Sequence, residues 1–134
     1  MVSRSMVEPG TYDVFFLPEY KAAEKQEAYM AHFAGEIKKN ISDVPVIAAG
    51  RIQTPETAAE IIEQGTADFI GLARVLFADP LWPQKATGHL KEPIISCETT
   101  CSLCLNRVMK GRPAYCSQWS KKYRKDFLKG IGEK

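Results

Sequence analysis

Two short apolar segments, each followed by an arginine, constrain the fold of this 134-residue chain most strongly. Residues 44–49 form the first segment, which ends at Gly50 and Arg51. Residues 67–73 form the second, which ends at Arg74. Residues 44–49 are continuously apolar, which is typical of a parallel strand buried on both faces. Residues 67–73, which include Asp68, are predicted to be a second buried strand. The sequence therefore predicts two parallel strands of an α/β fold.

The segment between these strands carries the signals of one helix. Thr54 is suited to cap free amide groups, and Pro55 fits the first helical position. Gly65 is suited to end the helix in a left-handed conformation. The inward face of this helix is predicted to carry Ala58, Ile61 and Ile62. A strand, a helix and a second strand of this kind predict one parallel unit with a right-handed crossover.

The flanking segments give weaker signals. Residues 1–18 are expected to be a loop with a short strand at Tyr12 to Leu17. A helix is predicted from Glu19 to Lys39, with an apolar stripe formed by Tyr29, Phe33 and Ile37. A further short helix is expected at Val75 to Phe77.

Composition excludes several classes of protein. The net charge of +2 does not indicate a nucleic-acid partner, and no apolar run approaches the roughly 20 residues that cross a membrane. Residues 1–10 lack the apolar core of a signal peptide. We therefore expect a cytoplasmic protein, in which four cysteines serve metal or redox chemistry and not disulfides.

The two strand ends form a candidate anion site. Parallel strands place their carboxyl ends at the same edge of a sheet, so Gly50, Arg51, Ala73 and Arg74 are expected to converge. Small residues let a phosphate approach backbone amides, and arginine adds a bidentate contact. The competing interpretation is a turn glycine with two surface arginines.

Four cysteines near the C-terminus form the second candidate site, namely Cys97, Cys101, Cys104 and Cys116. Three thiolates within eight residues suit an iron–sulfur cluster, and a turn at Lys110 to Pro113 would bring the fourth back. The same set suits a four-cysteine zinc site. Ordinary buried or free thiols are the third interpretation.

The strand segments resemble the Old Yellow Enzyme family of FMN-dependent oxidoreductases. The segment from Val44 to Ile52 is similar to strand seven of that family, and Pro55 and Glu56 are similar to the start of its helix seven. Residues 65–80, through Arg74 to the Ala78, Asp79 and Pro80 turn, are similar to its strand eight, with Lys85 beyond. The resemblance implies FMN held by its phosphate, reduced by NADH or NADPH, and reoxidised by an activated alkene or a related acceptor.

The cysteine segment resembles the dienoyl-CoA reductase branch of the same family, which carries a [4Fe–4S] cluster. That branch spaces its cysteines C-x2-C-x3-C-x11-C, whereas this chain has C-x3-C-x2-C-x11-C. Cys97, Cys104 and Cys116 match the pattern, and Cys101 is displaced by one residue.

These observations predict the last strands and helices of a (β/α)8 TIM barrel in residues 1–90, and a cysteine-containing extension with a basic helical tail in residues 91–134. A complete barrel needs roughly 250 residues. We therefore expect the missing N-terminal barrel strands, or a partner chain, to complete the site for flavin and a small-molecule substrate. Alone, the chain is expected to be inactive, and no catalytic residue is assigned.

Two other classes of function remain open from the sequence. One is a small iron–sulfur or zinc-binding module. The other is a non-catalytic partner that completes a split barrel.

Overall fold

The computed structural model describes the backbone of residues 5–6 and, in full, residues 26–98 and 100–132. The chain divides into two compact units, Met1–Leu72 and Ala73–Lys134. The described strands are β1 (Ser5–Met6), β2 (Val46–Ala49) and β3 (Phe69–Gly71). The described helices are α1 (Ala31–Asn40), α2 (Pro55–Glu63), α3 (Arg74–Ala78), α4 (Trp82–Ala86), α5 (Leu103–Met109) and α6 (Lys121–Gly130).

The first unit contains a parallel sheet in the order β1-β2-β3. Ser5 pairs with Val46 across β1 and β2, and Ala49 pairs with Gly71 across β2 and β3. The predicted strand–helix–strand arrangement is therefore confirmed, with two adjacent parallel strands joined through α2.

Both ends of α2 follow the predicted signals. The Thr54 side chain accepts a hydrogen bond from the Thr57 amide, and Pro55 is the first helical residue. At the other end Gly65 has a φ of +67°, and its amide donates to the Ile62 carbonyl. The Thr66 amide donates to the Ile61 carbonyl in the same turn. This pair of bonds is a Schellman motif, which satisfies carbonyls that the helix end would leave free.

The core of the first unit lies between the sheet and its helices. Its buried members are small or branched side chains: Ala34, Val46, Ala48, Ile52, Ile61 and Ala67. Ile37 and Ala58 pack against this core as predicted. Three predicted inward residues are instead exposed, namely Phe33 at 47%, Ile62 at 41% and Phe69 at 57%. An apolar pattern indicates which residues can be buried, but the packing of neighbouring elements decides which are.

The helix predicted from Glu19 begins later where the structure describes it. Residues 27–30 form a turn, and α1 starts at Ala31. Ala28 has a φ of +53°, and its amide donates to the Arg51 carbonyl at 3.1 Å. A left-handed residue bonded to another segment is incompatible with a continuous helix. The loop predicted for residues 1–18 is wrong at Ser5–Met6, which forms β1 and pairs with β2, because backbone pairing to a neighbouring strand leaves no local sequence signal. The strand predicted at Tyr12 to Leu17 and the first part of the predicted helix lie outside the described residues.

The second unit has short helices and a small core of its own. Its buried members are Ala78, Cys116 and Trp119, with Phe77 and Phe127 packed against them. The Trp119 indole donates to the Ala78 carbonyl at 3.0 Å, and its ring meets Phe127 edge to face at 5.5 Å. The predicted short helix after the second strand is present as α3. Trp119 is therefore a packing residue of this core.

Within the described parts of the chain, no helix has the length and apolar character needed to cross a membrane. In the sequence, the boundary between the two compact units falls between Leu72 and Ala73. The predicted division into domains at residues 90 and 91 stays a prediction.

Candidate functional site

The carboxyl ends of β2 and β3 lie side by side. Ala49 and Gly71 are paired residues, so the chain leaves both strands at the same edge of the sheet. Gly50 follows β2 with a φ of +114°, and Arg51 follows with a φ of +54°. Non-glycine residues rarely adopt a positive φ, and such strain is concentrated at functional sites. The predicted parallel arrangement of the two strands is confirmed.

Packing accounts for the glycine at position 50. A Cβ atom there would lie 2.7 Å from Cγ and 2.8 Å from Cβ of Met30. Real side chains do not approach so closely, so no other residue fits without moving Met30. Gly50 by itself is therefore no evidence of an anion site, because packing against Met30 already requires a glycine there. An anion at this turn would be bound by the backbone and by Arg51.

Glu27 fixes the segment that follows Arg51. Its Oε1 atom accepts hydrogen bonds from the Gln53 and Thr54 amides, each at 2.7 Å. Partial burial raises the pKa of Glu27, but the bonds from Thr54 and Gln53 outweigh it and hold the pKa below its usual value. The carboxylate lies at the start of α2, where negative charge is favourable. Sequence patterns did not identify Glu27, because its partners lie 26 and 27 residues away.

All four cysteines line one pocket in the second unit. The pocket is also lined by Arg74 and Phe77 from α3, and by Glu98 and Ser117. Cys116 is buried, and the other three thiols are partly buried. The residues therefore come from three separate segments, and the shifted Cys101 faces the same space as the others.

The turn predicted at Lys110 to Pro113 is present, and it returns the chain so that Cys116 lines the same pocket as the other three cysteines. Gly111 has a φ of +65°, and its amide donates to the Val108 carbonyl. The Arg112 amide donates to the Arg107 carbonyl, which completes a second Schellman motif. The Arg107 side chain adds a 2.6 Å bond from Nε to the Pro113 carbonyl.

Hydrogen-bond donors are directed at two of the sulfur atoms. The Gln118 amide donates to Cys116 Sγ at 3.4 Å. Cys101 Sγ lies 3.2 Å from the Ser117 hydroxyl. The bond with Ser117, followed by one from the Leu103 amide, lowers the pKa of Cys101. Such bonds stabilise thiolates, the form in which cysteine binds metal.

Cys97 has opposing influences. Burial raises the pKa of Cys97, the positive charge of Arg74 lowers it, and the three other cysteines raise it. Burial is the largest of these influences, so the net direction of the Cys97 pKa is upward. Among residues 26–98 and 100–132, no three His, Cys, Asp or Glu side chains are grouped tightly enough for a single metal ion. The four thiols thus share a pocket without the geometry of a one-ion site.

A buried ion pair anchors the segment that leads into the pocket. Lys85 Nζ lies 2.6 Å from Asp79 Oδ2, with exposed side-chain fractions of 8% and 3%. Asp79 also accepts the Ile95 amide at 2.9 Å, and Lys85 donates to the Pro93 carbonyl at 3.0 Å. Burial raises the pKa of Asp79, but the bonds from Lys85, Ile95 and Leu81 outweigh it and the pKa is lowered. The pair therefore holds Pro93 and Ile95, which lie just before Cys97 in the sequence.

The sequence predicted the four cysteines as one site, but it did not predict that Arg74, Phe77 and Ser117 line the same pocket. Ser117 follows Cys116 directly in the sequence, but the sequence does not indicate that its hydroxyl lies beside Cys101. Asp79 and Lys85 were named in the sequence only as residues that resemble the family, and their ion pair was not predicted. Arg74 was predicted at an anion site, and the structure places it on the cysteine pocket. Whether Gly50, Arg51, Ala73 and Arg74 share one anion remains a prediction.

Comparison with known proteins agrees with this α/β arrangement. Residues 13–92 match the NADH:flavin oxidoreductase / NADH oxidase family. A metal reductase of Desulforamulus reducens is 45% identical over 89 residues, which cover 64% of this chain and 13% of that protein. A cinnamate reductase of Clostridium sporogenes is 30% identical over 108 residues, which cover 81% of this chain and 16% of that protein.

One solved structure is similar in both fold and sequence. The 6-hydroxypseudooxynicotine amine oxidase of Pseudomonas geniculata N1 aligns with a TM-score of 0.58 and 32% identity. The alignment covers 69% of this chain and 14% of that protein. The chain thus spans less than a fifth of the length of each of these relatives.

An α/β protein with adjacent parallel strands and a C-terminal thiol pocket is the class that the geometry defines. Because the family match covers more than half of the chain, the chain belongs to the NADH:flavin oxidoreductase / NADH oxidase family.

Proposed function

We propose that this chain forms the flavin-phosphate end of an FMN-dependent NAD(P)H oxidoreductase and carries a [4Fe–4S] site in its cysteine segment. The remaining (β/α)8 barrel would be supplied by further residues or by a partner chain. The observation that carries the proposal is the pairing of β2 with β3, with an arginine after each strand, in a chain of this family.

The proposed FMN phosphate site consists of Gly50, Arg51, Ala73 and Arg74. Anions at the carboxyl edge of barrel strands seven and eight are common in this type of fold. Arg51 is held in a left-handed conformation, with its carbonyl bonded to Ala28 and the following residues bonded to Glu27. A backbone fixed in this way lets the arginine bind a phosphate with little ordering cost.

The proposed cluster ligands are Cys97, Cys101, Cys104 and Cys116. They fit the donor chemistry of an iron–sulfur cluster because all four thiols line one pocket. One zinc ion needs its sulfur ligands within about 4 Å of each other, whereas a cubane holds its ligands farther apart. The four-thiol donor set suits either group, and the cluster is proposed because the cysteine spacing resembles that of the dienoyl-CoA reductase branch.

When bound, the flavin would transfer hydride from NADH or NADPH to an activated alkene or related acceptor. The residues of this chain would bind the phosphate, hold the cluster ligands and keep the cysteine segment in place through Asp79 and Lys85. The proton donor and most of the substrate pocket would lie outside this segment. We therefore propose that the chain alone does not turn over substrate.

Comparison of FMN with riboflavin tests the phosphate site. In a family-length protein that carries this segment, Arg51→Gln should weaken FMN by about 1.5–3 kcal/mol, the scale of a hydrogen bond to a charged group. Riboflavin, which lacks the phosphate, should bind the variant and the unaltered protein equally. Arg112→Gln, an exposed arginine after α5, is the matched control. Unchanged FMN affinity in Arg51→Gln would remove this residue from the site.

A small metal-binding module is the second candidate, because the second unit is compact and has its own buried core. In that case the pocket would load with metal in the 134-residue chain, and Arg51→Gln would leave FMN affinity unchanged. Those two results together would favour the module over the flavoenzyme segment.

A further inference from the structure

One arginine of the second unit faces a collection of potential anions. Arg74 is the first residue of α3, and it lines the same pocket as all four cysteines. Arg74 is exposed, and it does not form one of the salt bridges found in the described chain. The positive charge of a guanidinium in this position can stabilise negative charge in the pocket, because no carboxylate ion pair of the described chain neutralises it.

The negative charge of a bound cluster would make its reduction sensitive to the positive charge of Arg74. Four thiolates around a [4Fe–4S] cluster leave the assembly with a net negative charge, and uptake of one electron adds one negative unit. A cation nearby stabilises the more negative form more strongly. Protein charges and hydrogen bonds around the sulfurs are among the main determinants of cluster potential.

We infer that Arg74 is the electrostatic residue of the cysteine site and raises the reduction potential of the cluster held there. This inference rests on the proposed cluster and adds a role for Arg74 besides phosphate binding. The other charged residue that lines the pocket is Glu98, whose carboxylate acts in the opposite direction.

The geometry also limits the size of the effect. Because Arg74 is exposed, solvent and salt screen its charge. The shift should therefore diminish as ionic strength increases. A change in potential caused only by altered packing would not follow salt in this way, nor would it be reversed by another cation at the same position.

The experiment uses the full 134-residue chain after anaerobic reconstitution with iron and sulfide. The cluster is reduced by stepwise addition of dithionite, which supplies the electron, and the reduced fraction is followed by electron paramagnetic resonance. Arg74→Gln should lower the ratio of reduced to oxidised cluster at a fixed potential several-fold. A tenfold change corresponds to about 59 mV for one electron.

Arg74→Lys and Lys122→Gln complete the design. Arg74→Lys should retain most of the unaltered potential, since it keeps the charge. Lys122→Gln removes one positive charge from an exposed ion pair on α6 that does not line the pocket, and it should leave the potential unchanged. High salt should reduce the difference between Arg74→Gln and the unaltered chain.

The outcomes separate this inference from the proposed function. An equal potential in Arg74→Gln and the unaltered chain, both with a full cluster, would refute the role of Arg74 and leave the cluster intact. Equal shifts in Arg74→Gln and Arg74→Lys would also refute it, because charge would not be the cause. An unaltered chain that takes up no iron would refute the cluster and the role of Arg74 together.

Discussion

The two units of the chain are stabilised by different kinds of interaction. Among the described residues, the first unit buries seven apolar side chains, six of which form one core cluster around the parallel sheet, and its polar bonds lie at the ends of elements. The second unit has three buried residues in its core cluster, two of them with polar or sulfur-containing side chains, and it depends on a buried ion pair. The comparison indicates that the first unit is stabilised mainly by its core, whereas the second also depends on specific polar contacts.

Removal of the buried ion pair should have the largest effect. Asp79→Ala leaves Lys85 buried without its carboxylate and frees the Ile95 amide, so it should destabilise the second unit by about 3–5 kcal/mol. Both tryptophans of the chain, Trp82 and Trp119, are in this unit, so urea unfolding followed by tryptophan fluorescence measures it directly.

Lys122→Ala is the matched control for that experiment. It breaks an exposed i,i+4 pair with Asp126 and should cost at most about 0.5 kcal/mol. Similar losses in Asp79→Ala and Lys122→Ala would contradict a structural role for the buried pair and remove the main contrast between the units.

Among the glycines that the structure describes in the first unit, Gly50→Ala should be the most damaging substitution. It combines a positive φ with contacts of 2.7 and 2.8 Å to Met30, at a cost of about 2–4 kcal/mol. Amide hydrogen exchange in α2 and β2 measures the loss. Gly130→Ala, which has open space around it within α6, should be neutral or slightly stabilising.

A double substitution separates the two causes. If close contact dominates, Met30→Ala should recover part of the loss in Gly50→Ala, although it removes a buried side chain of its own. Strictly additive losses would assign the effect to backbone strain alone.

Loss of the α2 cap should have a smaller effect. Thr54→Ala removes the acceptor for the Thr57 amide and should destabilise the first unit by about 1 kcal/mol. Hydrogen exchange should show the change in the first turn of α2, while tryptophan fluorescence of the second unit should not respond. A loss of equal size in both units would show that they unfold as one.

The smallest expected effect is a pH dependence at Glu27. Its folded-state pKa lies below its ordinary value of 4.5, so its contribution is present above that pH and is lost as acid protonates the carboxylate. Glu27→Gln should therefore flatten the acid-side loss of stability in the first unit. An identical pH profile in Glu27→Gln would show that its bonds to Gln53 and Thr54 do not depend on charge.

The difference between the units also explains what the sequence could predict. The strand–helix–strand arrangement was predictable because continuous apolar segments, Thr54, Pro55 and Gly65 are local signals with direct physical causes. The exposure of Phe33, Ile62 and Phe69 was not predictable, because it depends on how distant elements pack.

In the cysteine site, too, some features were predictable from the sequence and others were not. Its four thiols were predictable from spacing, and the return of Cys116 followed from the turn around Gly111. The positions of Arg74 and Ser117 on the pocket depend on contacts across segments that no local pattern reports. The buried contact between Asp79 and Lys85 depends on the fold of the second unit as a whole.

Cluster assembly in the cysteine pocket tests the central claim most directly. The 134-residue chain is reconstituted anaerobically with iron and sulfide and compared with Cys101→Ser, using Ser96→Ala as an exposed control beside Cys97. Iron analysis is combined with urea unfolding reported by the tryptophans of the second unit and by hydrogen exchange in α2 of the first.

The unaltered chain and Ser96→Ala should bind about four iron atoms, as a [4Fe–4S] cluster requires. Loading should stabilise the second unit while leaving the first unchanged, since the ligand binds only one of them. Cys101→Ser should lose most of the iron and the stabilisation. A chain that binds one zinc ion and no iron, or a Cys101→Ser variant that loads fully, would contradict the proposal that all four cysteines hold one cluster.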